Sequence, residues 1–124
     1  MIRGIRGATT VPEDDEKAVW QATEELMRKI ESENSLQPES ISHVIITVTD
    51  DLTSTFPARA LREMKDYQYV PVMCAQEIPV PGSIRKCIRL MVSAEVHVPQ
   101  KDVRHVYLNE AEKLRPDLSL TNEG

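Results

Sequence analysis

One phenylalanine and one tryptophan in 124 residues leave little aromatic bulk, so the core of this chain has to be built from aliphatic side chains. Cysteine is scarce as well. Cys74 and Cys87, with twelve residues between them, match neither a CxxC redox pair nor the paired spacing of a zinc site, and read as reduced thiols. His43, His97 and His105 are scattered, without an H-x-x-x-H spacing, which argues against a metal centre. No apolar run approaches the roughly 20 residues of a membrane span, and "MIRGIRGATT" lacks the apolar stretch of a secretory signal, so the cytoplasm is the expected location. Basic runs are missing and the formal charge is -5, which argues against a face built to neutralise nucleic-acid phosphates. Any anionic ligand must be held by individual arginines.

What is present reads as one domain over residues 1–124, with 40% hydrophobic and 28% charged residues and no internal repeat. In "MIRGIRGATT" the alternation of a strand puts Arg6 on the same face as Gly4 and Ala8, leaving room beside the guanidinium; a merely solvated arginine is the other reading. Pro12 followed by Glu13, Asp14, Asp15 and Glu16 predicts a helix start, and Val19, Ala22, Leu26 and Ile30 recur at helical spacing towards a stop near Asn34. "SLQPESIS" reads as a loop with a short helical turn from Pro38, and Val44 to Thr49 as a β-branched strand. A second, short helix is expected from Pro57, with Arg59 and Arg62 on one face. "YQYVPVMC" predicts a strand that Pro71 confines to an edge or bulge, and "RHVYL" a last strand carrying Tyr107. The polar remainder is expected to form a tail that is mobile from about residue 115.

The most informative segment begins at Cys87. Ile88, Leu90, Val92, Ala94 and Val96 fill one face of a strand, while Cys87, Arg89, Met91, Ser93 and Glu95 fill the other. Five strands and one long helix imply an α+β fold, a mixed five-stranded sheet with the helix packed on one face. That helix can cover only one side. The face carrying Arg89 must meet something else, and in a small chain the economical cover is another copy, hence a homo-oligomer with Arg89 near the contact. A cation held there needs an anionic partner, and Glu77 is the candidate carboxylate.

No Ser/His/Asp order and no glycine-rich phosphate cradle is evident, so nucleophilic and acid/base mechanisms have little support. What remains is Arg6, Arg59, Arg62, Arg89 and Arg115 with Glu77, Cys74 and Tyr107. Guanidinium forks clamp carboxylates, Glu77 can accept from an alcohol and Tyr107 can donate to a carboxylate oxygen. Such a set suits a small dicarboxylate bearing a hydroxyl. Periodicity names no reaction.

"IRGIRGATTV", "FPARALRE", "YVPVMCAQE", "KCIR" and "VPQKDVRHVYLNEAEKLRPDLSLT" together resemble the monofunctional chorismate mutases of the trimeric, mixed α/β class. The resemblance implies a homotrimer whose three sheets form a barrel-like core with helices outside and active sites in the clefts between subunits. It also implies the rearrangement of chorismate to prephenate in phenylalanine and tyrosine biosynthesis, with no cofactor or metal. Carried over, Arg89 matches the cation beside the ether oxygen of the breaking bond, Arg6 and Tyr107 match carboxylate-binding groups, and Glu77 with Cys74 matches the pair that meets the ring hydroxyl. Phe56, Ala58, Arg62, Val72 and Leu114 match wall positions, and Arg115 falls in the segment that closes over the site. Arg59 stands where the well-known members have lysine, and Met73 where they have threonine, so binding detail at these two positions departs from the pattern. A non-catalytic trimeric sensor of an anionic metabolite and a trimeric enamine deaminase are the competing expectations. A chorismate assay separates the first and an enamine-generating system the second.

Overall fold

Alternation and β-branching produce the three central strands where the sequence places them. The computed structural model describes residues 1–114. Strand β1 spans Ile2–Thr10, β2 Ile41–Val48, β3 Val72–Gln76, β4 Cys87–Glu95 and β5 Val106–Tyr107. They form one mixed sheet in the order β3-β2-β4-β1-β5, antiparallel at β2/β4 and β4/β1 and parallel at both edges. Helix α1 spans Glu16–Asn34, and the short α2 spans Ala58–Arg62.

Helix α1 begins later than Pro12 predicts. The Asp15 carboxylate accepts from the Ala18 N–H at 3.1 Å and caps the helix. Asp14 is drawn away, accepting from the backbone N–H groups of Thr53 and Ser54 at 3.0 and 3.1 Å. Pro12 and Glu13 therefore lie before the helix. At the other end Ser35 takes a left-handed conformation, φ 53°, and its N–H returns to the Glu31 carbonyl. The stop falls where the periodicity puts it.

The buried stripe Val19, Leu26, Met27 and Ile30 packs on Ile5, Val44, Ile46, Ile88, Leu90 and Val92, which is the aliphatic core that the composition demands. Thr23 lies in the same stripe and satisfies its hydroxyl on the Val19 carbonyl at 2.7 Å. Gly7 sits beneath the helix: a Cβ there would come within 2.6 Å of Ile30 Cδ1.

The edges differ from the sequence reading. Strand β3 starts at Val72 rather than near Tyr67, because Tyr67 turns inward, is buried, and donates its hydroxyl to Glu31. Pro71 precedes the strand, and β3 is indeed an edge. Strand β5 keeps only two residues; both backbone polar groups of Arg104 are taken by the Asn34 side chain, through 2.8 and 2.9 Å bonds. The expected tail beyond about residue 115 lies outside the described residues.

The register aligns Tyr107, Ala8, Arg89, Thr47 and Ala75 in one row across all five strands, on the face away from α1. The next row is Arg6, Met91, Ile45 and Met73. This face is only partly covered. The turn Asn109–Leu114 closes one end, where Ala8, Cys87 and Ala111 form a small buried cluster with Tyr107 and Leu114 against it. Further along, Ile45 and Met91 are each 40% exposed and Met73 73%.

Candidate active site

Two clefts hold the charged and polar residues singled out from the sequence that the structure describes. The first lies on the open sheet face, has a volume of about 160 Å³, and is lined by Arg6, Ala8, Thr47, Glu77, Arg89 and Tyr107 among others. Its position follows from the register, since Arg89 and Arg6 come from neighbouring antiparallel strands two residues apart in the pairing. Glu77 leaves the end of β3, and its N–H donates to the Val48 carbonyl at 2.8 Å, which turns the side chain back over the sheet. There one carboxylate oxygen accepts from the Thr47 hydroxyl and the other lies 3.4 Å from Arg89 Nη1. Both partners are about a quarter to a third exposed, 31% for Arg89 and 24% for Glu77, so the pair remains open to a ligand.

Tyr107 reaches the same cleft from β5. Its hydroxyl oxygen is buried and has no hydrogen-bond partner among the described residues, although it lines the same cleft. Arg6 reaches this cleft from β1, its backbone N–H fixed by His105 Nδ1 at 2.9 Å. To accept that bond, His105 must be unprotonated at Nδ1. Burial, and the positive charge of Arg6, push the His105 pKa below its ordinary 6.5. Cys87, buried in the adjoining cluster, has its thiol pushed up to about 11 by burial, with Arg89 opposing the shift, so it stays protonated at neutral pH.

The second cleft is larger, about 660 Å³, and lies at the β3 edge beside α2. Phe56, Arg59, Arg62 and Cys74 line it. Pro57 starts α2 and sets Arg59 and Arg62 on the cleft side, as their three-residue spacing predicts. Cys74 pairs with Ile46 on β2, so the pleat carries its side chain to the face covered by α1, opposite Arg89. Cys74 and Glu77 of one chain consequently lie in different clefts. Ala58 is buried in α2, Val72 is half-buried against the main core, and Met73 projects from the open face at the sheet edge. Leu114 packs beside Tyr107, and Arg115 is outside the described residues.

Sequence reasoning missed Thr47. Its only signal is alternation: within the strand from Val44 to Thr49 it falls on the face of Arg89, where a hydroxyl can orient a carboxylate. The described residues contain no group of three or more metal-ligating side chains, and no described helix is long and apolar enough to cross a membrane.

With about 160 Å³, the Arg89 cleft is smaller than the ~300–1,000 Å³ typical of a small-molecule site, while the larger cleft lacks the Arg89 and Glu77 pair. Chemistry and volume are thus divided between two surfaces of one chain. The model of the family described as chorismate mutase type I matches residues 2–118. The chain belongs to the chorismate mutase type I family. Two relatives called chorismate mutase AroH are similar along nearly their whole length. The Bacillus subtilis (strain 168) protein is 51% identical over 121 residues, 98% of this chain and 95% of the relative. The Thermus thermophilus protein is 51% identical over 119 residues, 95% of this chain and 97% of the relative. A solved chorismate mutase from Clostridium thermocellum superimposes with a TM-score of 0.87 at 41% identity, covering 90% of this chain and 98% of that one. Membership in the chorismate mutase family agrees with the mixed sheet read from the residues.

Proposed function

We propose that this chain catalyses the intramolecular rearrangement of chorismate to prephenate, the step leading towards phenylalanine and tyrosine. The observation that carries the reading is the Arg89 guanidinium, set 3.4 Å from Glu77 in a cleft shared with Arg6 and with a Tyr107 hydroxyl that has no partner among the described residues, within a chain of this family. A pericyclic rearrangement transfers no proton and needs no nucleophile. The protein has two tasks. It must hold a flexible dianion with its enolpyruvyl arm folded over the ring, which removes conformational entropy from the barrier. It must also favour the transition state over the substrate. Cleavage of the C–O bond runs ahead of C–C formation, so negative charge grows on the ether oxygen, and a fixed guanidinium interacts more strongly with it there than in the ground state. Arg89 takes this role. Arg6 and Tyr107 bind carboxylate, and Glu77 accepts from the ring hydroxyl.

The working form in this reading is a homotrimer in the cytoplasm. The α2 cleft of one subunit abuts the Arg89 cleft of the next, which joins volume to charge and brings a Cys74 near a Glu77. The exposed Ile45, Met91, Met73 and Phe56 support an assembly that covers them. Purified protein mixed with chorismate tests the reading: loss of chorismate with stoichiometric appearance of prephenate is expected. Binding without turnover would leave a sensor instead of an enzyme.

A further inference from the structure

Trp20 is the only tryptophan in the chain, and it lies half-buried on α1, on the flank of the α2 cleft. Two contacts tie it to that cleft. The Arg59 guanidinium carbon sits 4.5 Å from the centroid of the Trp20 ring. The indole N–H donates to the Thr55 hydroxyl at 3.0 Å, immediately before Phe56. Asp14 already pins the backbone of Thr53 and Ser54, so this bond extends the attachment of the cleft loop to the start of α1.

We propose that Trp20 is a positioning residue that holds Arg59 in place as an anion-binding group of the α2 cleft; the inference rests on the chorismate reading above. Arg59 is 56% exposed, and its one ion pair among the described residues is a 3.7 Å contact between Nε and Glu63. An arginine so placed would ordinarily sample many rotamers, and fixing it on a ligand would cost side-chain entropy. Stacking occupies the face of the guanidinium and leaves its N–H edge for a carboxylate. Arg62, three residues on, lines the same cleft but has no ring contact or ion pair among the described residues. Trp20 therefore prepares one of the two cleft arginines and leaves the other adaptable. Because Trp20 acts through Arg59, its loss weakens substrate binding and leaves the chemical step at Arg89 intact.

Steady-state kinetics with chorismate and the fluorescence of this single tryptophan test the assignment. Trp20→Leu is expected to raise KM about two- to fivefold with kcat within about twofold of the parent. Trp20→Phe, which keeps an aromatic face, recovers most of the loss. In an Arg59→Ala background, Trp20→Leu has no further effect on KM. In the parent chain, titration with prephenate changes the tryptophan emission, and in Arg59→Ala that change disappears; this readout holds even where Trp20→Leu fails to fold. A parent KM in soluble Trp20→Leu, a KM effect undiminished without Arg59, or an emission change that survives Arg59→Ala each overturns the assignment while leaving the proposed reaction standing. A parent chain inert towards chorismate overturns both.

Discussion

Arg89 and Glu77 meet at 3.4 Å across the open face of the sheet, while Thr47, on the strand between them, donates its hydroxyl to the second Glu77 oxygen. The carboxylate is thus oriented by a neutral neighbour and is only loosely held by the arginine. A loose ion pair leaves guanidinium N–H groups for a ligand, and a carboxylate anchored elsewhere can still accept from an alcohol.

Replacing Glu77 separates these roles. Glu77→Ala removes the acceptor and leaves Arg89 without its anion; kcat/KM should fall roughly tenfold or more, in line with about 1.5–3 kcal/mol for a hydrogen bond involving a charged group. Glu77→Gln keeps an acceptor oxygen and should lose less than Glu77→Ala. Equal losses in the two variants would mean that the charge itself is required.

The pH dependence of turnover distinguishes electrostatic from acid/base catalysis. Burial pushes the Cys87 thiol to about 11, and burial pushes His105 below 6.5, so neither changes charge between about pH 7 and 9. A flat kcat over that window is expected. Below it, protonation of His105 at Nδ1 would remove the acceptor for the Arg6 N–H and disturb β1 beside the cleft. A bell-shaped profile with both limbs near neutrality would instead indicate proton transfer.

Stability should fall on the acid side for a separate reason. Arg28 hydrogen-bonds Asp66 and lowers its pKa below the ordinary 3.8. For Asp51, burial acts upwards, but the Thr49 hydroxyl, the Lys86 N–H and Arg85 together bring the value down. Each carboxylate contributes stability that is fully present above its unfolded pKa and is lost as pH falls through the lower folded value. His105 adds to the trend from pH 6.5 downwards, because the unfolded chain binds its proton more readily than the folded one. Urea midpoints should therefore decline as pH falls below about 6.5 and more steeply below about 4. A midpoint constant from pH 7 to 3 would contradict these pairings.

Gly7 and Gly4 lie on opposite faces of β1 and predict opposite outcomes. An alanine Cβ at Gly7 would meet Ile30 Cδ1 at 2.6 Å and Leu26 Cδ1 at 3.1 Å, and both side chains are fully buried. Gly7→Ala should cost about 1–3 kcal/mol by denaturant unfolding. At Gly4 the nearest atom is Met91 Sδ at 3.4 Å, an ordinary contact, and Gly4→Ala should leave the stability of the subunit nearly unchanged.

Much of this arrangement was legible in the residues. The alternation from Cys87 to Glu95 identified both the core face and the face that α1 leaves open, and the spacing of Val19, Leu26 and Ile30 identified the helix that covers the first. The start of α1 was hidden because four consecutive acids offer several caps, and Asp14 is claimed by a loop distant in sequence. The position of β3 was hidden by Tyr67, whose aromatic bulk suits a strand but is used to close the core beside Glu31. For the site, Arg6, Glu77, Arg89 and Tyr107 came together as their residue types suggested. Cys74, although three residues from Glu77, did not join them, since the pleat of β3 and the turn at its end send the two side chains to different surfaces. Short sequence separation says little about shared faces once a strand ends between two residues.

The most direct test replaces Arg89 with citrulline, a neutral urea of nearly the same outline, and measures kcat for chorismate. If a fixed positive charge stabilises the electron-rich ether oxygen, turnover should drop on the order of 10²-fold or more while the fold and its melting temperature change little. Turnover close to that of the parent chain would show that shape and confinement suffice, and would contradict the account.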